Sequence, residues 1–272
     1  MTNAATAEEA IKRKPTQRES REKPEVGAVA HAITILKVIG ASRKSIGVNE
    51  IARRVGLHKS TVSRLLATLV THGFLERGEN DGRFSLGFEL IALAGPLIAD
   101  LDVVNAARPA LQALADETGE SIYIAVWNGR DTIMIEQAVG EHAVTHYARP
   151  GTAMPTHASA AGKIFMAFLP AAKHAAMLQP LPRYTPFTKL GDELEAELED
   201  IRSRGIAFND QEYEIESCGV AAPVRDVRGQ VVGALTVAAP KHRFDPRQQV
   251  KLAMSTARYA EELSRRMGYV GR

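Results

Sequence analysis

The stretch "IARRVGLHKSTVSRLLATLVTHGFL", residues 51 to 75, constrains the fold of this chain more than any other. Val62, Leu65, Leu66 and Leu69 recur at helical spacing and form one apolar stripe pointed at a core. Ser60, Ser63, Arg64, Ala67 and Thr71 fall on the opposite side, where a merely solvated helix would carry Glu and Lys. Ser and Thr are mediocre helix formers, yet short hydroxyl side chains let a helix approach phosphates closely and hydrogen-bond to them. Just upstream, "VNEIARRVGL" reads as a short helix with Ile51 and Val55 turned inward and a stop at Gly56. Leu57 staples the turn between the two helices.

The flanks complete a motif over residues 26 to 87. "VGAVAHAITILKVIGAS" places Val29, Ile33, Leu36 and Ile39 at helical spacing, which predicts a first helix. "FLERGENDGRFSLG" is two short extended runs around a Gly-containing turn. Three helices and a hairpin make a winged helix-turn-helix, whose second paired helix enters a DNA major groove. Lys59, Ser60, Thr61, Ser63 and Arg64 are then the candidate contacts on that helix, with Arg64 long enough to reach a base edge. Arg77 and Arg83 flank the wing turn as candidate phosphate contacts. A solvated surface arginine is the alternative for each.

The charge distribution agrees. The net charge of +2 divides into +1 for residues 1 to 25 (six basic, five acidic), +5 for residues 26 to 87 (nine, four) and −4 for residues 88 to 272 (nineteen, twenty-three). A basic module on a slightly acidic body suits a nucleic-acid binder whose larger part does something else. Residues 1 to 25 read as a disordered arm, with Lys12 to Lys14 available to phosphate. The single cysteine, Cys218, excludes an internal disulfide, and the apolar runs are too short to span a bilayer. A cytoplasmic protein without a membrane partner is expected.

Beyond the wing, residues 88 to 102 predict a linker helix interrupted near Gly95 and Pro96, where a backbone donor is missing. Leu90, Leu97 and Leu101 line either an interface between chains or a contact within one. Residues 103 to 272 change period. "SIYIAVWNGRDTIMIEQAV" is a hairpin and "AVTHYARPG" a third strand. Helices are expected at about 159 to 169, 171 to 178 and 192 to 204, the last with Asp192 and Glu195 as a capping box. "IAFND", "CGVAAPVRD" and "VVGALTVAA" are further strands, and a closing helix runs from Asp245 and Pro246 to near Gly268. Hairpin-joined strands with flanking helices predict an antiparallel α+β domain.

With these elements placed, the chain resembles the IclR family of bacterial transcriptional regulators over nearly all of residues 28 to 268. "IARRVGLHKSTVSRLLATLVTHGFLER" is similar to the family's helix-turn-helix, "GRFSLG" to its wing end, "PTHASAAGK" to its ligand loop, and "VAAPVRD" with "GALTVAAP" to its final hairpin. The resemblance implies a winged helix, a linker helix and a GAF-like domain that binds a small molecule. It further implies a homodimer or homotetramer on a partly palindromic operator in double-stranded DNA. Three positions depart from the family pattern: His58 stands where the turn often has Pro, Ala160 where the ligand loop often has Gly, and Cys218 one place before the family's Cys position, which Gly219 holds. A one-residue shift on a strand reverses the face, so Gly219 and not Cys218 is assigned to the pocket. Asn209, Thr236 and Ala238 match other lining places.

The effector expected is a small organic acid, its carboxylate at the start of the helix that opens in "THASAAGK". Met154, His157, Ser159, Ala160 and Ala161 would line it with Asn209, Gly219, Thr236 and Ala238. Alternatively, the small residues permit close helix-sheet packing. An enzyme is the rival class, and its motifs fail. "HASAAGK" has His157 where a phosphate loop needs Gly and is followed by Ile164 rather than Ser or Thr. Ser159 lacks a nucleophile-elbow signature, and His142 with His146 has no third metal ligand at motif spacing. No cofactor is called for.

Overall fold

A computed structural model describes residues 26–42, 44–79, 81–99, 102–142, 149–169 and 181–271. The chain divides into two units, with the boundary between Ala92 and Leu93. In the first, helices α1 (Gly27–Gly40), α2 (Val48–Val55) and α3 (Lys59–Thr71) precede the antiparallel strands β1 (Leu75–Arg77) and β2 (Phe84–Leu86). Its core is Ile35, Ile39, Ile46, Ile51, Val62, Leu66, Leu75 and Phe84. The α1 stripe differs from the sequence expectation: Ile35 and Ile39 are buried, whereas Val29 and Ile33 are 56% and 48% exposed. Periodicity fixes which residues share a face but not how far along the helix neighbours cover it.

Gly56 ends α2 with φ +69°, a left-handed cap that only glycine adopts without strain. His58 then caps α3, its side chain accepting the Ser60 N–H at 3.4 Å. The wing is not a free hairpin. Ile46, in the connection between α1 and α2, exchanges both backbone hydrogen bonds with Phe84 at 3.0 and 2.9 Å.

Helix α4 (Glu89–Ala99) runs through Gly95 and Pro96, so the expected interruption is not there. Proline deletes one donor but keeps helical φ, which permits a helix to continue at some cost. Leu90 is half-buried, while the Leu97 side chain and Leu101 lie outside the described residues. The second unit continues with α5 (Asp102–Thr118), β3 (Ser121–Trp127), β4 (Thr132–Ala138), β5 (Ala153–Met154), α6 (Ala160–Phe168), α7 (Asp192–Arg204), β6 (Ala207–Asp210), β7 (Ser217–Arg225), β8 (Val231–Pro240) and α8 (Pro246–Arg266). The strands form one antiparallel sheet in the order β5-β4-β3-β8-β7-β6.

Most of the expected strand over 143 to 151, and the expected helix over 171 to 178, lie outside the described residues; Pro150 and Gly151 form a turn. The capping box at Asp192 is also displaced. Gly191, φ +56°, is the N-cap, and Asp192, Glu193 and Glu195 occupy the first turn, where they complement the helix dipole. Asp245 caps α8 as expected, accepting the N–H groups of Arg247 and Gln248.

The two faces of the sheet bury different things. On one, Ile122, Ile124, Val220, Ala222, Val224, Leu235 and Val237 pack with residues of α5 and α8 such as Leu114 and Leu263. Cys218 belongs to this side. On the other, Tyr123, Ala125, Met134, Ala221, Ala234 and Ala238 meet Ala160, Ala161, Ile164 and Phe165 of α6 and, farther out, Leu194 and Leu198 of α7.

Candidate functional site

The face of α3 opposite its buried Val62 and Leu66 is exposed throughout: Lys59, Ser60, Thr61, Ser63, Arg64, Ala67 and Thr71 all reach solvent. The Thr71 hydroxyl donates to the Ala67 carbonyl at 3.0 Å, and Thr68 does the same to Arg64 at 3.1 Å. In the first turn Ser60 Oγ lies 2.7 Å from His58 Nδ1, while Lys59, Thr61 and Ser63 keep exposed side chains. The nearby Arg53 and Arg54 are different, since both pair with Glu50.

The two wing arginines are partly engaged with the wing itself. Arg83 Nε donates to the Ser45 carbonyl at 2.8 Å, and its backbone N–H donates to Asp81 Oδ1 at 3.0 Å. The Arg77 guanidinium lies 5.8 Å from the Phe84 ring centroid. Each side chain is nevertheless exposed.

In the second unit the strand register collects four of the sequence-assigned residues on the α6 side. Asn209 pairs with Gly219, Gly219 with Ala238, and Ala238 with Ser121, which makes one row across four strands. The next row is Ala207, Ala221, Thr236 and Tyr123. A Cβ on Gly219 would lie 4.0 Å from Ala160 Cβ and 3.1 Å from the Val237 carbonyl, so helix and sheet approach closely there. Ala160 is 1% exposed; a leucine in its place would overfill this contact as well as any site.

Polar groups on this face are left without partners. Ser121 Oγ and Thr236 Oγ1 are buried and reach no hydrogen-bond partner, as are Thr132 Oγ1 and Trp127 Nε1 toward the β3–β4 hairpin end. Such groups are scarce in folded proteins and each calls for a physical account. Burial pushes the Tyr123 phenol up to about 12, opposed in part by the Thr236 hydroxyl, which lacks a partner while the phenol is protonated but can donate to the phenolate. Met154 is half-buried and pairs with Thr132. Sequence reasoning missed Ser121, Tyr123, Trp127 and Thr132, because a strand buried on both faces hides its polar alternation.

The loop before α6 is held by its own side chains. Ser159 is the N-cap, accepting the Gly162 N–H at 3.1 Å and donating to the Pro155 carbonyl at 2.7 Å. His157 is buried, its Nε2 2.9 Å from the Pro182 carbonyl and its ring stacked on Tyr184 at 5.5 Å. Burial holds its imidazole below the usual histidine range against the pull of that carbonyl. A Cβ on Gly162 would stand 2.2 Å from the Thr156 carbonyl oxygen, which explains the glycine.

One turn into α6, Lys163 is fully buried. Its ammonium donates to both oxygens of Glu197 at 2.9 Å and to Glu212 Oε1 at 2.7 Å, and Lys189 reaches Glu197 at 3.1 Å. Burial raises the Glu212 carboxyl despite Lys163 beside it. Among the described residues no group of three His, Cys, Asp or Glu could hold a metal ion. His142 lies 3.7 Å from Glu120 Oε1, and His146 is outside the described residues. No described helix is long and apolar enough to cross a membrane.

Comparison with known families decides what these surfaces belong to. The IclR helix-turn-helix domain matches residues 28–79, and the bacterial transcriptional regulator IclR C-terminal domain matches residues 96–265. The chain belongs to the IclR family. It is a transcriptional regulator with a helix-turn-helix DNA-binding domain and an α+β C-terminal domain. It is 29% identical to the transcriptional regulator XynR of Escherichia coli, over 90% of this chain and 99% of that one. The fold is similar to IclR of Thermotoga maritima, with a TM-score of 0.68 at 26% identity over 90% of this chain and 100% of that one. It is also similar to an IclR homolog of Microbacterium hydrocarbonoxydans complexed with 4-hydroxybenzoate, with a TM-score of 0.72 at 27% identity over 88% and 99%. XynR is named a transcriptional regulator.

Proposed function

We propose that this regulator binds its operator through the exposed face of α3, Lys59 to Arg64, and the wing, and that a small organic acid held between α6 and the sheet modulates that binding. The pair of unpartnered hydroxyls, Ser121 Oγ and Thr236 Oγ1, carries the effector reading, because both lie beside the small-residue row under the first turn of α6. Lys163 is committed to two glutamates and His157 is held neutral by burial. A carboxylate there is therefore met by neutral donors, the helix-start N–H groups and hydroxyls. The bound 4-hydroxybenzoate of the Microbacterium homolog supports an acid of this kind. Met154, Ala160, Ala161, Asn209, Gly219 and Ala238 supply the walls.

The chain acts at least as a dimer in this reading, on a partly palindromic operator, since one recognition helix reads too few bases to find a site. Val29 and Ile33 on α1, with Phe88 and Ile91 at the start of α4, are large apolar side chains left exposed in the first unit and suit a second copy. Light scattering of the protein on DNA tests this; a monomer refutes it.

The DNA assignment is tested by anisotropy on the DNA upstream of its own gene and on a scrambled duplex, across salt. Arg64→Ala is expected to cost about 1–3 kcal/mol of discrimination. Arg83→Ala weakens both duplexes alike. Equal loss on both for Arg64→Ala sinks its assignment to base reading. Calorimetry with 4-hydroxybenzoate and a panel of aliphatic acids tests the pocket: Thr236→Val and Ser121→Ala should each weaken the acid that binds. Unchanged affinity in both variants misplaces the site.

A further inference from the structure

The buried charges around Lys163 have no part in holding the acid, yet they tie α6 to the β6–β7 connection and to α7. Lys163 sits one turn after the α6 N-cap, its backbone N–H bonded to the Ser159 carbonyl at 3.0 Å, so a displacement of the first turn displaces Lys163. Its ammonium is fixed on Glu212, in the connection between β6 and β7. The Glu212 backbone N–H is bonded at 2.9 Å to Asn209 Oδ1, and Asn209 belongs to the small-residue row of the sheet. The helix above the pocket and the strand below it therefore converge on one residue. From there the ties lead outward: the Glu212 carbonyl accepts the Thr188 hydroxyl at 2.7 Å, and the Gln211 carbonyl accepts the Thr185 hydroxyl at 2.6 Å. Gln211 holds φ +65°, the one non-glycine residue with positive φ among those described, so this connection is kept in a conformation it would not choose alone. The residues that follow, Glu214, Ile215 and Glu216, are exposed.

We propose that Glu212 is the positioning residue that reads occupancy of the α6 site and passes it to the β6–β7 connection. This rests on the effector reading above, and it adds where the signal leaves the pocket. An ammonium this buried cannot slip past its carboxylates without leaving a charge unpaired, so α6 cannot shift alone. It carries Glu212 and residues 210 to 217 with it. Glu212 Oε2 has no partner, so one side of the carboxylate is free to change neighbours as the helix moves.

Hydrogen exchange on the full-length protein tests this without any ligand. Lys163→Met should speed exchange at residues 160–163 and at residues 210–217 together, by about a hundredfold, the scale expected when a buried pair loses one partner. A change confined to α6, with 210–217 as in wild type, overturns the proposal. The double variant Lys163→Met with Glu212→Gln removes one charge of each sign and leaves the Glu197–Lys189 pair, which guards against a single variant that fails to fold. Its separate readout uses 4-hydroxybenzoate as the probe. In wild type the acid should protect both segments; in the double variant it should still protect 160–163, with affinity within about threefold of wild type, a difference of well under 1.4 kcal/mol, and no longer protect 210–217. Protection of 210–217 surviving in the double variant refutes the role of Glu212. Should the acid protect neither segment in wild type, the effector reading fails for that acid, and the ligand-free exchange still decides the link.

Discussion

The two faces of the six-stranded sheet share the same strands and the same twist, yet one is wholly apolar and the other carries buried hydroxyls. Toward α5 and α8 the row of Ile122, Ile124, Val220, Val224, Leu235 and Val237 is apolar. Toward α6 the alternating positions are Ser121, Tyr123, Thr132, Gly219 and Thr236, with hydroxyls that reach no partner at three of them. Burying a hydroxyl without a partner costs free energy, so a sheet selected only for stability would not place three on one face. The first face holds the domain together, and the second gives up stability at the place where the acid is proposed to bind.

The largest expected effect falls on the apolar face. Leu235→Ala, in the middle of β8 and fully buried, should cost about 3 kcal/mol through lost burial and the cavity left behind, read as a lower urea midpoint. A loss below about 1 kcal/mol would mean that this face is looser than its packing indicates.

The next effect is a pH dependence on the α6 face. The Tyr123 phenol titrates near 10.0 in the unfolded chain and about 12 in the folded one. Between those values the unfolded chain has released a proton that the folded one retains, so stability falls as pH rises from 10 toward 12. The loss is up to about 3 kcal/mol by linkage, and Tyr123→Phe should abolish that share of the alkaline slope. Cys218 on the apolar face is displaced in the same direction, from 9.0 to about 12, by burial and by Asp210 beside it. Its variant Cys218→Ala should remove a slope that begins one pH unit lower. Identical slopes in wild type and Tyr123→Phe would show the phenol to be solvated.

The smallest effect has the opposite sign. Thr236→Val keeps shape and removes an unpartnered hydroxyl, so it should stabilise the free protein by roughly 1 kcal/mol or less while weakening the acid. Thermal unfolding with and without 4-hydroxybenzoate reads both. If the variant is destabilised instead, Thr236 Oγ1 has a bond partner in solution and the contrast between the faces narrows.

Much of this contrast was legible in the chain. The helix-turn-helix, the wing, every described strand of more than two residues and the cap at Asp245 follow from spacing, turn residues and capping chemistry. Gly219 and Cys218 fall on opposite faces as strand alternation requires. What stayed hidden depends on contacts distant in sequence. The inward face of α1 is set by what α2 and α3 cover, so Ile35 is buried where Val29 and Ile33 were expected. α4 continues through Pro96, where the missing donor taken alone argues for a break. Lys163 meets Glu212 across 49 residues, and no motif announces that meeting. Ser121 and Tyr123 sit in "SIYIAV", which reads as uniformly buried until the register shows what lies opposite.

The link from Arg83 to the Ser45 carbonyl, with the Ile46–Phe84 pairing beside it, gives the wing a second parent in the chain. The short connection between α1 and α2 thereby sets the pitch of a hairpin that follows it by some forty residues in sequence, a distance the guanidinium bond spans directly. Evolution has in this connection a tuning screw remote from the letters being read. Exchanging residues 44 to 47 among paralogues should alter the proposed phosphate contacts of the hairpin while leaving the proposed reading by Arg64 and its neighbours unchanged.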